Sequence, residues 1–229
     1  MKNSLIILAA AAAFVLTGTG VLADDIAPPW WRDGTPKYGA DRRTIQQWEF
    51  GTANTIPIAE PGYVIPPASL APQAGISPGG DWIDDDPDSA RQGIWPLSDD
   101  EASGLIDLFI ANYPDGPEKK IWVQLTWKPQ THIPVPPELG SPQISATTSS
   151  SIIPVNAVLH SEDPLDEDWI HSRYLIVVQP NPLFETIRIS GDILVDEVVV
   201  DTICPEPASL LLLGVAVPFI LRRKNRGGN

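Results

Sequence analysis

Five aspartates lie within the eight residues from 81 to 88 and form the densest set of cation ligands in the sequence. Calcium binds about six to eight oxygen atoms, and carboxylates this close together repel one another unless a cation lies between them. The spacing is not that of an EF-hand, because Ser89 stands at the glycine position and Trp95 at the glutamate position. Two interpretations stay open: a structural calcium ion held by Asp84, Asp86 and Asp88, or a solvated acidic loop.

The segment from His160 to His171 is a second candidate, since it holds two histidines and five acidic residues. Zinc would need both histidines and a carboxylate to converge on one side. The histidines are eleven positions apart, and Pro164 lies between them. These features predict an exposed loop that joins two strands, with a cation site as the alternative.

Trp122 is the third candidate and lies in a segment that alternates with period two. It shares one face of the predicted strand with Gln124, Thr126 and Lys128. A flat ring beside hydrogen-bonding side chains resembles a sugar-binding platform, so Trp122 and Gln124 are the candidate glycan-binding residues. The alternative, which we favour, is that a proline-rich N-terminal arm covers Trp122.

Two common catalytic motifs are absent from the sequence. The chain contains no His-Glu-x-x-His helix and no phosphate-binding loop. A glycosidase needs two carboxylates about 5 to 10 Å apart, but among 29 Asp and Glu residues some pair meets that distance by chance. We therefore predict a protein that is not an enzyme, with no catalytic residue and no cofactor other than the calcium ion considered above.

Short runs of β-forming residues position these candidates. Apart from Ile45 to Phe50, they occupy residues 104–113, 120–128, 152–159, 169–178, 183–190 and 192–203. Turn residues fall at 180–182 and 190–192, and the alternation becomes ambiguous at 196–197, which is typical of a β-bulge. Seven or eight short strands without a strongly amphipathic helix predict a mainly β fold, an antiparallel β-sandwich of jelly-roll type.

Charge and cysteine content restrict the partners. Residues 24–204 hold 10 Lys and Arg against 28 Asp and Glu, a formal charge of −18. Such a charge argues against nucleic acid and anionic lipid, and permits divalent cations and neutral glycans. Cys204 is the only cysteine, so no internal disulfide forms.

Both ends of the chain carry targeting features. Lys2 precedes an apolar run from residue 5 to 16, and small or apolar residues stand at positions −3 (Val21) and −1 (Ala23), which predicts a secretory signal peptide cleaved after Ala23. At the other end, Pro205-Glu206-Pro207 precedes a short apolar run from residue 208 to 221 and the basic cluster that begins Arg222-Arg223-Lys224. As a helix this run would cover about 21 Å, which is short for a membrane core of about 30 Å and suits transient insertion.

The order of tripeptide, apolar run and basic cluster resembles a PEP-CTERM tail, a type of tail also named for the C-terminal motif of ice-binding proteins. The resemblance implies processing by an exosortase-type membrane protease and export to the cell envelope or extracellular matrix. It covers about a tenth of the chain. The remainder is similar, loosely, to uncharacterised planctomycete proteins with such tails, which implies no catalytic residues.

These features predict four segments: a signal peptide (1–23), a proline-rich arm with one edge strand (24–92), a β-sandwich (93–203) and the sorting signal (204–229). The predicted function is an exported, non-enzymatic surface or extracellular-matrix protein of unknown molecular activity, with extracellular polysaccharide as a candidate partner. A carbohydrate-binding module is the alternative, and a glycan-active hydrolase is third.

Overall fold

The computed structural model describes residues 28–31, 43–60, 71–89, 91–98, 103–112, 116–130, 140–165 and 168–205. The predicted signal peptide with Ala23, and the sorting-signal residues Glu206, Pro207, Arg222, Arg223 and Lys224, lie outside them. Within these ranges, no helix has the length and apolar character needed to cross a membrane.

The described residues form two antiparallel sheets. The seven strands of the first sheet are β1 (Arg43–Glu49), β3 (Ile83–Asp85), β4 (Gln92–Pro96), β6 (Lys119–Pro129), β9 (Val158–Pro164), β10 (Ile170–Val178) and β12 (Ile193–Ile203). The five strands of the second are β2 (Gln73–Ser77), β5 (Leu105–Ala111), β7 (Gln143–Thr148), β8 (Ser151–Asn156) and β11 (Phe184–Ser190).

The inner faces of the two sheets share one apolar core, as their alternation predicts. In β6, Ile121, Val123 and Leu125 point inward and are fully buried, and in β11 Ile187 and Ile189 do the same. The predicted antiparallel β-sandwich is therefore confirmed.

Strand β12 organises the first sheet. It pairs with β6 along one edge, and with β4 and then β1 along the other. Its register against β6 shifts between Val195 and Glu197, where the sequence predicted a bulge. The extra residue lets one long strand bend and keep valines facing the core on both sides of the shift.

The proline-rich region differs from its prediction. The sequence indicated one edge strand between residues 24 and 92, whereas the structure has three, β1 to β3, distributed over both sheets, and β4 begins at Gln92. Prolines there lie mainly between strands, where the missing amide donor removes no ladder hydrogen bond. Gly93 in β4 has φ +81°, and a Cβ there would lie 2.4 Å from the carbonyl oxygen of Phe50, so the close approach of these segments requires glycine.

A buried ion pair joins the two sheets at one end of the sandwich. Nζ of Lys119, at the start of β6, donates to Glu185 near the start of β11, and both side chains are fully buried. Asn112 donates to the same carboxylate. Burial lowers the pKa of Lys119 and raises the pKa of Glu185, and the attraction between the two groups opposes both shifts. The two charges therefore remain inside the core only as a pair.

We predict that Lys119→Met lowers the free energy of unfolding by about 3 to 5 kcal/mol, because it leaves an unpaired carboxylate in the core. The double variant Lys119→Met/Glu185→Leu should be more stable than Lys119→Met in a urea titration followed by circular dichroism. Arg188→Met, which breaks the more exposed pair with Asp107, is the control and should cost at most about 1 kcal/mol. A double variant less stable than Lys119→Met would contradict this account.

Candidate functional site

The acidic cluster spans β3 and the turn that follows it. Asp84 lies in β3 and is exposed, and Asp88 is exposed in the turn that follows. Asp86 accepts hydrogen bonds from Ser89 Oγ at 2.8 Å and from the Asp88 amide at 3.2 Å, and Trp169 Nε1 lies at 3.4 Å. Asp86 thus shapes the turn after β3.

The lowered pKa of Asp86 agrees with its role in shaping the turn after β3. Burial alone would raise the pKa of Asp86, but the hydrogen bonds and the nearby Lys128 ammonium, 4.0 Å away, hold it below its usual value. Among the described residues, no three His, Cys, Asp or Glu side chains are placed to hold one metal ion. The calcium site at Asp84, Asp86 and Asp88 stays a prediction.

The histidine segment forms strands rather than a long loop. His160 and Pro164 lie in β9, and His171 lies in β10 opposite Asp163, so both histidines belong to paired strands. His160 contacts the ring of Trp122, whereas His171 is buried with Nδ1 3.2 Å from Thr126 Oγ1. The prediction of a loop across this segment was wrong, because pairing with β10 extends β9 through its proline at the sheet edge.

Trp122 is buried rather than presented on an open face. It is 6% exposed, with its ring edge-on to Trp31 at 6.1 Å and to His160 at 4.9 Å between centroids. Gln124 is 1% exposed. The predicted glycan platform at Trp122 and Gln124 therefore offers no exposed ring, and Trp31 covers it as the arm alternative expects. Trp30, beside Trp31, is 56% exposed.

A Gly-x-Ser-x-Gly spacing occurs at Gly75 to Gly79. In esterases that motif forms a sharp turn from a strand into a helix, which exposes the serine as a nucleophile. Here Ser77 is the last residue of β2, and the next described element is strand β3. The local structure therefore lacks the strand-to-helix turn that a nucleophile elbow requires.

The structure contains a cleft that the sequence did not indicate. It lies beside the start of β7, where β8 ends and the chain crosses to the first sheet, and it encloses about 450 Å³. Polar and apolar groups alternate in its lining, which consists of Ser141, Pro142, Gln143, Ile144, Ser145, Asn156, Ala157, Leu159, Glu162, Tyr174, Arg188 and Ser190.

A chain of hydrogen bonds from the core fixes the cleft carboxylate. Trp127 Nε1 donates to Ser172 Oγ at 2.8 Å, and Ser172 Oγ donates to Glu162 Oε1 at 2.9 Å. Ser172 and Glu162 are also direct partners in the β9–β10 ladder. Because Trp127 is buried, this chain holds Glu162 in one orientation before any ligand arrives.

Tyr174 and Arg188 supply donors on the two sides of the cleft. Burial raises the pKa of Tyr174 to about 12; a hydrogen bond with Ser172 opposes this rise and the charge of Glu162 adds to it, and the hydroxyl is protonated at neutral pH. Arg188 makes two hydrogen bonds to Asp107, at 2.8 and 2.7 Å, which raise its pKa and orient the guanidinium. The cleft therefore combines a fixed acceptor, fixed donors and an aromatic ring.

Sequence reasoning missed this cleft because its lining comes from five strands. Gln143, Asn156, Tyr174 and Arg188 were not candidates, and Glu162 appeared only as one of the acids of the histidine segment. No spacing along the chain places such residues together. The one available signal is a polar residue beside a strand end, which is too common to be selective.

No family model and no curated protein matches the chain. Among solved structures, it is similar to the C-terminal CBM6 of LamC, a marine laminarinase from Zobellia galactanivorans, at 7% identity and a TM-score of 0.29, over 69% of this chain and 98% of that one. It is also similar to the enzymatically active domain of tailspike protein 4 of bacteriophage CBA120, at 11% identity and a TM-score of 0.24, over 74% of this chain and 20% of that one. Likenesses at these TM-scores carry no argument about function.

The packing of Trp122 gives a stability prediction. Trp122→Ala should lower the free energy of unfolding by about 3 to 5 kcal/mol, because it empties a buried site beneath Trp31. Trp30→Ala is the matched control and should cost less than about 1 kcal/mol, since that ring is half in solvent. Thermal or urea unfolding measures both. Equal effects of the two substitutions would show that Trp31 does not cover Trp122.

Proposed function

We propose that the protein is an exported carbohydrate-binding β-sandwich that holds a neutral glycan in the cleft beside β7. The observation that supports this most is the fixed and mixed character of the cleft, with Glu162, Tyr174 and Arg188 held in place by contacts outside it. Preorganised polar groups in a concave site lose little freedom when a ligand binds.

The side chains of the cleft complement sugar hydroxyls. Each hydroxyl is both a donor and an acceptor, and the amides of Gln143 and Asn156 can serve either role. Glu162 accepts hydrogen bonds and Arg188 donates them. Sugar hydroxyls that point in different directions can therefore each form a hydrogen bond in the cleft. A charged ligand would instead favour a cleft whose side chains carry the opposite charge.

Apolar contacts and size also suit a sugar. Tyr174 and Leu159 line the cleft and can pack against the C–H face of a pyranose ring. The volume of about 450 Å³ falls within the range of about 300 to 1,000 Å³ typical of small-molecule sites. The formal charge of −14 disfavours polyanionic glycans, so the proposed ligand is neutral.

Binding without hydrolysis is the better match to the described cleft. Hydrolysis of a glycosidic bond requires two facing carboxylates, and Glu162 is the one carboxylate among the residues that line it. We therefore retain the proposal that the protein is not an enzyme.

The two terminal segments of the sequence support the proposal that this module is exported. We propose that the signal peptide exports the chain and that an exosortase-type protease processes the tail, which leaves the protein in the envelope or matrix. Strand β12 ends at Ile203 and Cys204 is buried, so the tripeptide that begins at Pro205 follows directly on the last strand. That position suits a signal appended to a folded body.

A glycan array followed by calorimetry tests the binding proposal. We expect a neutral oligosaccharide to bind, and Gln143→Ala to weaken binding by about 3- to 10-fold through the loss of one or two hydrogen bonds. Gln73→Ala is the matched control, because Gln73 is equally exposed on β2 at the other end of the same sheet.

Glu162→Ala should weaken binding more than Gln143→Ala does, because it removes the one acceptor that the Trp127–Ser172 chain orients. A blank array with a folded protein would refute carbohydrate binding and leave a structural matrix role. Binding that Gln143→Ala and Glu162→Ala leave unchanged would place the ligand elsewhere.

A further inference from the structure

We propose that strand β8 is a homodimer interface, at which two copies of this chain pair edge to edge in antiparallel orientation. The surface consists of exposed apolar residues of β8 and the first residue of β9, here called the β8 strip: Ile152, Ile153, Val155 and Val158.

Both faces of β8 are uncovered. Ile152 is 92% exposed and Ile153 is 74% exposed. All six residues of β8 are exposed, including the consecutive Val155 and Asn156, which pair in regular register with Ala146 and Ser145 of β7. Because consecutive side chains of a regularly paired strand point to opposite faces, β8 has solvent on either side. Large apolar side chains rarely remain on both faces of a strand in a monomeric protein.

The backbone of β8 also has an edge that pairs with no described strand. Among the described strands, β8 pairs with β7 alone and ends the order of the second sheet, while β9 ends the order of the first. An exposed sheet edge offers a row of amide and carbonyl groups to another strand. The β8 strip therefore offers backbone hydrogen bonds and apolar side chains at the same place.

The absence of ionic side chains around β8 suits a second copy as the occupant. The chain carries a formal charge of −14, so two copies repel each other over most of their surfaces. From Gly140 to Ser161 there is no Asp, Glu, Lys or Arg. The β8 strip is thus part of a neutral zone where two acidic molecules can approach without placing like charges in contact.

Pairing of two β8 strands about a twofold axis gives a closed dimer. An antiparallel strand pair about a twofold axis presents the same residues from both partners, so a surface that fits one copy fits the other. Pro154, in the middle of β8, lacks an amide donor and restricts the register in which a ladder can form. Both features favour a dimer over continued stacking.

Sedimentation equilibrium of the full chain at micromolar concentration tests the proposal. We expect a reversible dimer for the natural sequence and a rise of at least about tenfold in its dissociation constant for Ile153→Lys, because the substitution brings two buried charges together. Ile152→Lys should have the same effect, because Ile152 is 92% exposed in the same strip. Ile58→Lys is the matched control, since Ile58 is 66% exposed outside the β8 strip.

Two results would overturn the proposal: a monomer for the natural sequence, or a dimer that Ile153→Lys and Ile58→Lys weaken equally, as association through the apolar ends of the chain would give. Circular dichroism checks that each variant folds, and Ile153→Thr replaces Ile153→Lys if the lysine lowers the melting temperature. The threonine variant keeps the β-branched shape, so a weaker dimer would again trace to the lost apolar contact.

Discussion

The crossing of the chain from one sheet to the other at Ala157 is the constraint on which both proposed surfaces depend. Strand β8 is an edge of the second sheet, and β9, which follows after this single residue, is an edge of the first. The Ala157 amide donates to the Ile144 carbonyl at 2.8 Å, which ties the crossing to β7. A small side chain fits here because Ala157 packs against the core while the backbone turns.

The two surfaces occupy opposite sides of this crossing. On one side, the early departure of β8 leaves the start of β7 unpaired and opens the cleft that holds Gln143 and Glu162. On the other side, β8 extends past the core and exposes Ile152 and Ile153. At the opposite end of β11 from the cleft, the pair of Lys119 and Glu185 joins the sheets. The ion pair thus joins the two sheets at one end of the sandwich, and the cleft lies at the other end.

Sequence periodicity predicted the strands that carry a continuous apolar face. Strand β6 alternates clearly, and the irregularity at residues 196–197 matched the observed bulge in β12. Strands β2, β3, β4 and β7 and most of β9 were missed, because they are short or turn few large side chains toward the core; β7 contributes only Ile144 and Ala146. Alternation therefore finds a strand only when the strand itself supplies much of the core.

Candidate sites were harder to predict than strands because their character depends on neighbours distant in sequence. The alternation around Trp122 identified its face, yet Trp31, far away along the chain, decides that the face is buried. The cleft combines side chains of five strands, so no local motif marks it.

Chemical shift perturbation by NMR tests the central claim most directly. A neutral oligosaccharide should shift the resonances of Gln143, Asn156 and Tyr174 and leave those around Trp30 unchanged. Shifts confined to the Trp30 side, or none at millimolar sugar, would contradict a glycan site in this cleft.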